Sequence, residues 1–490
     1  MANSGPSKQE MLDLALRNDL ASFVAKCFGT VSPGVIFLPT WHIRAIAFQL
    51  ERMARGETKR LLITMPPRSL KSLAASVAFP AYVLGQDPTK RIVCVSYAEE
   101  LAEKHARDCR AVMETNWYRG LFPRTRLSRQ KSAELDFETT KRGGRLSTSV
   151  GGTLTGRGGS LIVIDDPQKP IDAMSDKRRA ATLDWFRNTL PSRLDDQRHD
   201  AMVVVMQRLH VDDIAGHLID TGEWTHLNLA AIALEDEAIE IAPGLFHHRR
   251  AGELLHPERV PLAQLDQLKA SMGTFHFSAQ YQQDPVPEAG NLLRREWFKT
   301  SASAASGNVQ GRIVQSWDFA VKDSEQNDWT VCLTACVKGN SVEILDVFRE
   351  RINYPAQREA VVRLAREHRA KVILIETAAN GTPLIDDLRR IGAPGVPTPI
   401  GVTPRGTKVE RLSIQSHRVE AGDVSLPENA AWRDGFLAEI LAFPHGRNDD
   451  QVDALSQLLT WLAQTAYHWG RVSLAAPIIF VGGVQQRSGA

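Results

Sequence analysis

Short apolar runs alternate with amphipathic stretches through the first half of the chain. Strand-like runs lie at residues 60–66, 91–96, 145–150, 161–164 and 201–208, and stretches with helical spacing follow most of them. Continuous apolar runs are typical of strands buried on both faces, and their alternation with helices predicts a doubly wound parallel sheet. The first half is therefore expected to form an α/β domain.

The segment before this alternation predicts two helices. Apolar residues recur at helical spacing over residues 9–28, which predicts one amphipathic helix. The second helix follows a proline turn and begins with Trp41, His42 and Arg44. These three side chains could cap and pack the helix or contact a nucleotide base, and packing is the favoured interpretation.

The order of elements changes in the second half. Three strand-like runs, RIVQSWDFA, TVCLTACV and SVEILDVF, are followed by a helix at 356–369, the strand KVILIE and a helix near 383–391. A loop region that can include a hairpin then leads to a final helix at about 450–464. This order of elements predicts an RNase H-like fold.

Composition narrows the picture only slightly. A chain of 490 residues with 43% hydrophobic and 24% charged residues is expected to fold into two or three globular domains. The net charge of +2 neither requires nor excludes nucleic acid. Five scattered cysteines predict reduced thiols in a cytosolic protein, and the polar N-terminus does not resemble a signal peptide. No apolar run is long enough to span a bilayer, so no membrane partner is expected.

The loop MPPRSLKS, residues 65–72, lies between a predicted strand and a predicted helix. In a phosphate-binding loop, backbone N–H groups, a lysine and a hydroxyl hold the phosphates and Mg²⁺. Lys71 and Ser72 supply the lysine and the hydroxyl, whereas Met65 and Leu70 stand where the common pattern has glycine. The predicted nucleotide-binding residues of this loop are Pro67, Arg68, Ser69, Leu70, Lys71 and Ser72.

The apolar run at 161–164 leads into two consecutive acids, Asp165 and Asp166. Downstream of a phosphate-binding loop, Asp165 is expected to hold Mg²⁺ together with Ser72, and Asp166 to orient or deprotonate the attacking water. Gln207 lies at the end of the next strand, which is where ATPases with a phosphate-binding loop sense the γ-phosphate.

Two arginines could stabilise charge during phosphoryl transfer. Arg68 lies in the loop itself, and Arg157 lies in the glycine-rich stretch GGTLTGRGG. A flexible loop suits an arginine finger that acts on a neighbouring subunit. Either arginine could equally be a solvated surface residue, and for Arg157 both interpretations stay open.

A second set of acids marks the second half. Asp318 lies past the apolar start of its strand, Glu376 ends VILIE, and Asp450 and Asp453 lie three apart on one side of the last helix. Carboxylates at neighbouring strand ends and a helix are suitable ligands for two Mg²⁺ or Mn²⁺ ions that cut a phosphodiester. We therefore predict a metal site formed by these four acids, which Asp449 could share.

The basic segment 403–427 lies before the last helix. It contains Arg405, Lys408, Arg411 and Arg418. Such residues usually form a solvated face. Beside a metal site they could instead contact a DNA backbone.

Taken in order, the motifs PPRSLKS, LTGRGGSLIVIDDP, MQRLHVDDIAG, SWDFA, LIETAANG and NDDQVDAL resemble the large terminase subunit of tailed bacteriophages. The resemblance covers roughly residues 35–465 and implies an N-terminal ATPase of the ASCE type and a C-terminal RNase H-like nuclease. Many members have glycine where this chain has Leu70. Residue by residue, Lys71, Ser72, Asp165 and Asp166 match the family's ATPase site, and Asp318, Glu376 and Asp453 match its nuclease acids.

The resemblance further implies a motor that uses ATP to package double-stranded viral DNA and a metal-dependent endonuclease that cuts the concatemer. The implied partners are DNA, the portal protein, a small terminase subunit and further copies of the chain in a ring. The implied location is the cytoplasm of the bacterial host and, transiently, the portal vertex of the procapsid. A transposase or resolvase, or a translocase with an inactive nuclease domain, would each explain only half of the chain.

These patterns divide the chain into five predicted segments, with the small-residue stretch TSASAASGNVQG as the linker. The segments are an N-terminal helix (1–34), a P-loop ATPase domain (35–230), a subdomain and linker (231–305), an RNase H-like nuclease domain (306–465) and a C-terminal tail (466–490).

Overall fold

A computed structural model describes residues 7–154, 156–285, 292–301, 311–319, 329–377, 381–446 and 448–469. The chain forms two compact units, Met1–Leu293 with Ser416–Ala421, and Arg294–Gln415 with Gly422–Ala490. The division falls inside the segment predicted to hold the linker, and most of the small-residue stretch itself, residues 302–310, lies outside the described residues. Among the described helices, none combines the length and the apolar character needed to cross a bilayer.

The first unit begins with two helices where the apolar spacing predicted one. Helix α1 covers Lys8–Asn18, and α2 covers Leu20–Val31. Asp19 separates them because its carboxylate accepts a hydrogen bond from the backbone N–H of Ser22 at 2.7 Å and caps α2. The single helix predicted over residues 9–28 is therefore wrong at this residue.

Helix α3 covers Trp41–Ala54. Trp41 stacks on His247 with ring centroids 4.3 Å apart, and the side chain of His42 is buried. Both contacts are packing contacts, which agrees with the favoured interpretation of these residues. Arg44 is exposed.

The remaining elements of the first unit surround one large sheet and a small hairpin. The strands are β1 (Arg60–Thr64), β2 (Arg91–Ser96), β3 (Leu127–Ser132), β4 (Asp136–Thr139), β5 (Gly144–Ser149), β6 (Leu161–Asp165), β7 (Ala201–Met206), β8 (Thr225–Asn228), β9 (Glu237–Ala242) and β10 (Leu245–Arg249). The helices are α4 (Phe79–Gln86), which a π-helical turn (Leu73–Ala78) precedes, α5 (Glu99–Glu114), α6 (Asn116–Leu121), α7 (Asp176–Thr189), α8 (Ile214–Thr221) and α9 (Leu262–Gln280).

The large sheet has the strand order β3-β4-β5-β2-β6-β7-β1-β8. Its six strands from β5 to β8 in this order are parallel, and β3 and β4 add an antiparallel margin. Successive residues of the central strands pack into separate apolar clusters on the two faces, for example Val163 on one face and Ile164 on the other. The parallel α/β class predicted for this half is confirmed. Since β7 alone separates β1 from β6, the loop after β1 and the acids after β6 lie at the same end of the sheet.

The second unit is built around a mixed sheet. Its strands are β11 (Lys299–Ser301), β12 (Arg312–Asp318), β13 (Thr330–Lys338), β14 (Ser341–Glu350), β15 (Val372–Glu376), β16 (Ile400–Val402) and β17 (Val424–Pro427). Its helices are α10 (Tyr354–Glu367), α11 (Gly381–Ile391), α12 (Lys408–Glu420, of which residues 416–420 belong to the first unit), α13 (Arg433–Ala442) and α14 (Asp450–Trp469). The strand order is β11-β17-β14-β13-β12-β15-β16. The central strand β13 is antiparallel to both of its neighbours, β12 and β14, and all other neighbouring pairs are parallel.

The region before the last helix differs from the prediction. Instead of a loop with a hairpin, the chain forms α12 between two strands that do not pair with each other. β16 lies parallel to β15, and β17 lies parallel to β14. A hairpin requires antiparallel neighbours, so the hairpin prediction is wrong.

The register of the second sheet positions two of the predicted acids. Trp317 pairs with Ile375, so that Asp318 and Glu376, one residue further along adjacent parallel strands, leave the sheet side by side. Helix α14 lies on the face that these acids share, because the hydroxyl of Ser316, two residues before Asp318, donates to the carbonyl of Ala454 at 2.8 Å. Trp317 faces the opposite side and packs into an apolar cluster with Ile375.

Candidate functional site

The loop after β1 adopts the sharp turns that a phosphate-binding loop requires. Arg68 and Leu70 both have left-handed backbone conformations, with φ of 60° and 65°. Leu70 thus occupies a conformation that glycine adopts without steric cost. Its side chain packs against the main apolar cluster of the unit.

Lys71 is buried and faces the acids at the end of β6. Its exposure is 4%, and its Nζ lies 2.9 Å from Oδ1 of Asp166. The backbone N–H of Gln207, just after β7, donates to the same oxygen at 3.3 Å. Burial raises the pKa of Asp166, and the charge of Lys71 opposes this shift. The three predicted residues Lys71, Asp166 and Gln207 are therefore brought together.

Asp165 is bound by two hydroxyl groups. Ser72 Oγ donates to Oδ1 at 3.1 Å, and Ser76 Oγ donates to Oδ2 at 2.8 Å. Burial raises the pKa of the Asp165 carboxyl, while Lys71 and the two serines act in the opposite direction. A loop hydroxyl beside a buried strand-end aspartate is the donor pair that holds Mg²⁺ in P-loop NTPases, so the chemistry of these residues fits the ion.

Two further residues near Asp165 were not predicted from the sequence. Arg145 on β5 is buried, donates to the carbonyl of Ser76 at 3.2 Å and contributes positive charge near Asp165. His105 on α5 lies with Nδ1 3.5 Å from Asp165 Oδ2. Burial lowers the pKa of His105 to about 4, so its ring is neutral at neutral pH. Ser76 was not predicted either, and among these three residues it alone had a sequence signal, because it follows Ser72 by four residues, which is helical spacing.

The motif QRLHVDDIAG folds into a support for Gln207. Asp213 caps α8 by accepting from the N–H of Gly216 at 2.7 Å, and it also binds Nε of Arg208 at 3.0 Å. Gly216 is required because a Cβ there would lie 1.9 Å from the carbonyl oxygen of Val211. Arg208 is thus held away from the acids, whereas Gln207 stays beside them. The Oε1 atom of Gln207 is buried without a hydrogen-bond partner among the described residues.

The remaining predicted residues of this half are placed differently. Pro67 and Ser69 lie in the loop, and Arg68 is exposed on it. Arg157 lies before β6 begins, which is the opposite end of the sheet from Lys71, and it forms an ion pair with Asp136. A cavity of about 320 Å³ lies beside it at that end. The structure does not bring Arg157 to the Lys71 site of the same chain, and its action on a neighbouring subunit stays a prediction.

In the second unit, the predicted acids lie around the end of β12. Burial raises the pKa of Asp318 well above its ordinary value, and the negative charges of Asp453, Glu376 and Asp450 raise this pKa further. The pKa of Glu376 is raised by burial, while the charge of Arg411 opposes the shift. The register of β12 with β15 and the contact of α14 with Ser316 place the four predicted acids at the same end of this sheet.

Asp450 and Asp453 lie in the first turn of α14. Burial, followed by the charges of Glu439 and Asp449, raises the pKa of Asp450 to about 6. Glu439 in turn accepts hydrogen bonds from the backbone and side-chain nitrogens of Gln451, both at 2.7 Å. The start of α14 is therefore fixed by a buried polar contact with α13.

The basic residues of α12 are bound to these acids. Lys408 Nζ lies 2.6 Å from Asp453 Oδ2 and 2.7 Å from Asp449 Oδ1. Arg411 forms an ion pair with the other oxygen of Asp453. Although burial opposes its charge, Asp453 and Asp449 raise the pKa of Lys408. Lys408 and Arg411, which were considered as DNA contacts, instead neutralise Asp453.

The donor chemistry of this cluster fits a divalent cation. Buried carboxylate oxygens that raise one another's pKa carry an excess of negative charge, and Mg²⁺ and Mn²⁺ prefer such ligands. In the described part of the chain, however, no three acidic, histidine or cysteine side chains converge on one point in the manner of a closed metal cage. Both oxygens of Asp453 are paired with basic residues, Oδ2 with Lys408 and Oδ1 with Arg411.

Gly381 in the motif LIETAANG has a steric role. Helix α11 begins at this residue, directly against the end of β15. A Cβ at Gly381 would lie 1.8 Å from the carbonyl oxygen of Glu376. Glycine therefore permits the close approach that positions Glu376.

Residues 315–461 match the family model described as the Terminase RNaseH-like domain. The match confirms the terminase resemblance for this part of the chain, and it confirms the RNase H-like fold predicted for the second half. No curated protein sequence matches the chain significantly.

Solved structures of similar proteins include three from bacteriophages. The large terminase of a thermophilic bacteriophage in complex with ADP aligns with 8% identity and a TM-score of 0.46, over 90% of this chain and 98% of the other. The HK97 large terminase aligns with 11% identity and a TM-score of 0.37, over 91% and 99%. The magnesium-bound large terminase nuclease of another thermophilic phage aligns with 14% identity and a TM-score of 0.27, over 36% and 98%. At these TM-scores the alignments do not establish function.

The left-handed conformation of Leu70 predicts an unusual order of stability. Leu70→Gly and Leu70→Ala both remove the packed side chain, but only alanine keeps a Cβ at a φ of 65°. We expect the glycine variant to be more stable than the alanine variant by about 1 kcal/mol, measured by denaturant unfolding followed by circular dichroism. Leu73 packs on the same cluster within a helical turn, so the same pair of changes there should give the reverse order. The same order at both positions would contradict the argument.

The raised pKa of Asp450 predicts that stability falls as the pH rises. The folded carboxyl binds a proton up to about pH 6, above the ordinary value of 3.8, so the native state binds more protons than the unfolded state in this window. In metal-free buffer, the wild type should therefore lose thermal stability between about pH 4 and about pH 6.5 and change little above this range, and Asp450→Asn should lose less over the same range. Asp386→Asn, which changes an exposed acid of α11, should follow the wild type. Parallel pH profiles for Asp450→Asn and wild type would reject the expected coupling.

Proposed function

We propose that this chain is a large terminase subunit, in which the first unit hydrolyses ATP to move double-stranded DNA and the second unit cuts that DNA with divalent metal ions. The observation that carries the proposal is the cluster of Asp318, Glu376, Asp450 and Asp453. It lies in the part of the chain that matches the Terminase RNaseH-like domain. The paired lysine and acids of the first unit support the motor function.

In the ATPase reaction, Lys71 would bind the outer phosphates, and Ser72 and Asp165 would hold Mg²⁺. Lys71 now pairs with Asp166, so phosphate binding would draw the lysine away and leave Asp166 free to accept a proton from water. The buried Oε1 of Gln207, which has no partner in the described structure, is suitably placed to accept a hydrogen bond from that water. The positive charges of Lys71 and Arg145 would favour the ionised form of Asp165, beside which the neutral ring of His105 lies.

In the nuclease reaction, Asp318, Glu376, Asp450 and Asp453 would hold the metal ions. Bound divalent cations activate water and stabilise the leaving oxygen of a phosphodiester. Lys408 and Arg411 form ion pairs with Asp453 and compensate part of the charge of the cluster.

The proposal extends to partners and location. A packaging motor would act on a DNA concatemer together with a portal protein and a small terminase subunit, as a ring of identical chains at the portal vertex of a procapsid in the bacterial cytoplasm. In such a ring Arg157 could act as a finger towards a neighbour. About half of the Arg157 side chain is accessible, which is compatible with contact to a neighbouring subunit.

Two other functions are less well supported. A transposase or resolvase would use the acids of the second unit but would leave the Lys71–Asp166 pair without a role. A translocase with an inactive nuclease unit would use the first unit but gives no reason for four acids, Asp453 buried and the others partly buried, around the end of β12.

The nuclease proposal predicts metal-dependent cleavage that requires Asp318. The purified chain should cut supercoiled plasmid with Mn²⁺ or Mg²⁺, and Asp318→Asn should lower the rate by more than about a hundredfold because it removes a charged metal ligand. Asp386→Asn, an exposed acid in the same unit, serves as the matched control and should keep the wild-type rate. Cleavage that persists in Asp318→Asn would reject the site.

The motor proposal predicts that ATP hydrolysis requires Lys71. Lys71→Ala should reduce ATP turnover to background because the phosphates lose their buried cation. Lys90→Ala changes an exposed lysine at the other end of the same sheet and should leave turnover unchanged. DNA-stimulated phosphate release by the chain is the measurement, supplemented by packaging of DNA into procapsids where these can be prepared. Equal turnover in wild type and Lys71→Ala would exclude this site as the ATPase centre.

A further inference from the structure

Two arginines of β14 lie against one tryptophan ring near the proposed nuclease acids. The guanidinium carbons of Arg349 and Arg351 lie 4.3 Å and 4.5 Å from the ring centre of Trp329. Both distances are well within the range of a cation–π contact. These three residues are called the Arg–Trp–Arg stack below.

The sheet register places the stack in line with Asp318. Asp318 pairs with Val331, and Val331 pairs with Arg349, so these residues form one cross-strand row. Paired residues project from the same face, and Trp329 and Arg351 lie two positions along their strands from Val331 and Arg349. The stack and Asp318 therefore share a face of the sheet. Adjacent strands are about 4.8 Å apart, which puts the backbone of Arg349 about 10 Å from that of Asp318.

Arg349 also links the stack to the helices that carry the other acids. It lies 3.0 Å from Oε2 of Glu439 on α13, and Glu439 holds Gln451 of α14. Arg349 is therefore fixed by a carboxylate as well as by the aromatic ring. Its position depends on the same contacts that fix the first turn of α14.

Arg351 differs from Arg349 in its surroundings. It is exposed, and within the described ranges no carboxylate lies close enough to pair with it. An exposed arginine usually samples many rotamers, but contact with Trp329 restricts the guanidinium without neutralising it. The result is an ordered positive charge on the same face as a cluster of acids that requires cations.

This arrangement is chemically suited to a phosphate group. A guanidinium presents several N–H donors in a planar fork that matches phosphate oxygens. Lys408 and Arg411 of α12 do not supply such a phosphate contact, because both are bound to the carboxylate of Asp453. A nuclease needs phosphate contacts on either side of the bond that it cuts, since these contacts position the strand.

We propose that the Arg–Trp–Arg stack is a DNA-backbone subsite, in which Arg351 binds a phosphate of the strand whose scissile phosphate lies at Asp318. This inference rests on the nuclease function proposed above. It assigns Trp329 the role of ordering Arg351 and assigns Arg349 the role of fixing the ring to the body of the unit. The ligand is the nucleic-acid backbone rather than a base, so binding is independent of sequence.

The test compares Arg351→Ala with a matched control. Arg363 on α10 is also an exposed arginine over an aromatic ring, 5.8 Å from the centre of Phe348, and that ring packs into the cluster on the opposite face of the sheet. Arg363→Ala therefore removes an exposed positive charge and an aromatic contact away from the acids, and with them a surface ion pair with Glu367 at 3.7 Å that has no counterpart at Arg351 among the described residues. Trp329→Phe keeps an aromatic ring with a weaker attraction for the guanidinium and should give an intermediate effect.

Binding is measured for the full chain with a fluorescent 30-base-pair duplex in EDTA over a range of salt concentrations. Cleavage of the same duplex is measured with Mn²⁺. Arg351→Ala should weaken binding about five- to tenfold and reduce the slope of log Kd against log salt by about 1. In the cleavage assay it should raise KM with little change in kcat, because Arg351 positions the strand and does not touch the reacting atoms. Arg363→Ala should match the wild type in all of these quantities.

The outcomes separate this inference from the nuclease proposal. If the wild type cuts the duplex and Arg351→Ala has the Kd, salt slope and KM of Arg363→Ala, the subsite is refuted while the nuclease remains. If the wild type binds the duplex but does not cut it, the nuclease proposal fails, and a loss of binding in Arg351→Ala would still identify a DNA contact. Thermal unfolding of each variant shows whether a loss of DNA binding reflects misfolding. If Arg351→Ala is misfolded, Arg351→Lys, which keeps the charge, replaces it and should bind DNA within about twofold of the wild type.

Discussion

Both units bury carboxylates that need a neighbouring positive charge. In each unit a lysine side chain at the beginning of a helix provides this charge. Lys71 lies 2.9 Å from Asp166, and Lys408 lies 2.6 Å from Asp453. An isolated carboxylate in the interior would be strongly destabilising, whereas a paired and hydrogen-bonded one is tolerated. The end of each sheet can therefore carry several acids only because a helix starts beside it with a lysine in its first turn.

This constraint explains why the two sites are built from the same parts but are charged differently. In the first unit, two serines, Lys71 and Arg145 together surround Asp165 and Asp166, so little charge is left uncompensated. In the second unit, Lys408 and Arg411 face Asp453, while Asp318 is left among carboxylates and its pKa rises. Under the proposed function, the first arrangement would bind one Mg²⁺ together with an anionic nucleotide. The second would bind free divalent cations, which would have to displace or share the contacts of Lys408.

The chain's alternating apolar runs were sufficient to predict the central strands, because strands such as β6 and β7 are buried on both faces and contain few polar residues. Helix α12 could not be found in this way. Its buried positions mix the apolar residues Leu412 and Val419 with the polar residues Glu410, Ser413 and Gln415, so polar side chains interrupt the hydrophobic period of its inward face. The acids could be identified because they end apolar strands, but their partners could not. Lys408 and Arg411 looked like surface charges, and Arg145 lies in a strand whose neighbours gave no sign that its side chain is buried.

Consecutive aspartates at the end of a strand pose a geometric difficulty, since successive side chains project from opposite faces. Asp165 is the last residue of β6 and reaches Ser72 and Ser76 in the ordinary extended conformation. Asp166 follows with a φ of 45°, a left-handed conformation that aspartate tolerates better than most residues. Its backbone N–H donates to Val205, and its carbonyl accepts from Tyr97, so the adjacent chain segments on both sides hold it there. The turn brings the second carboxylate back to Lys71. A residue that remained extended would direct its side chain to the other face, so one residue in a left-handed conformation allows two adjacent acids to contact the same loop, at Lys71 and Ser72.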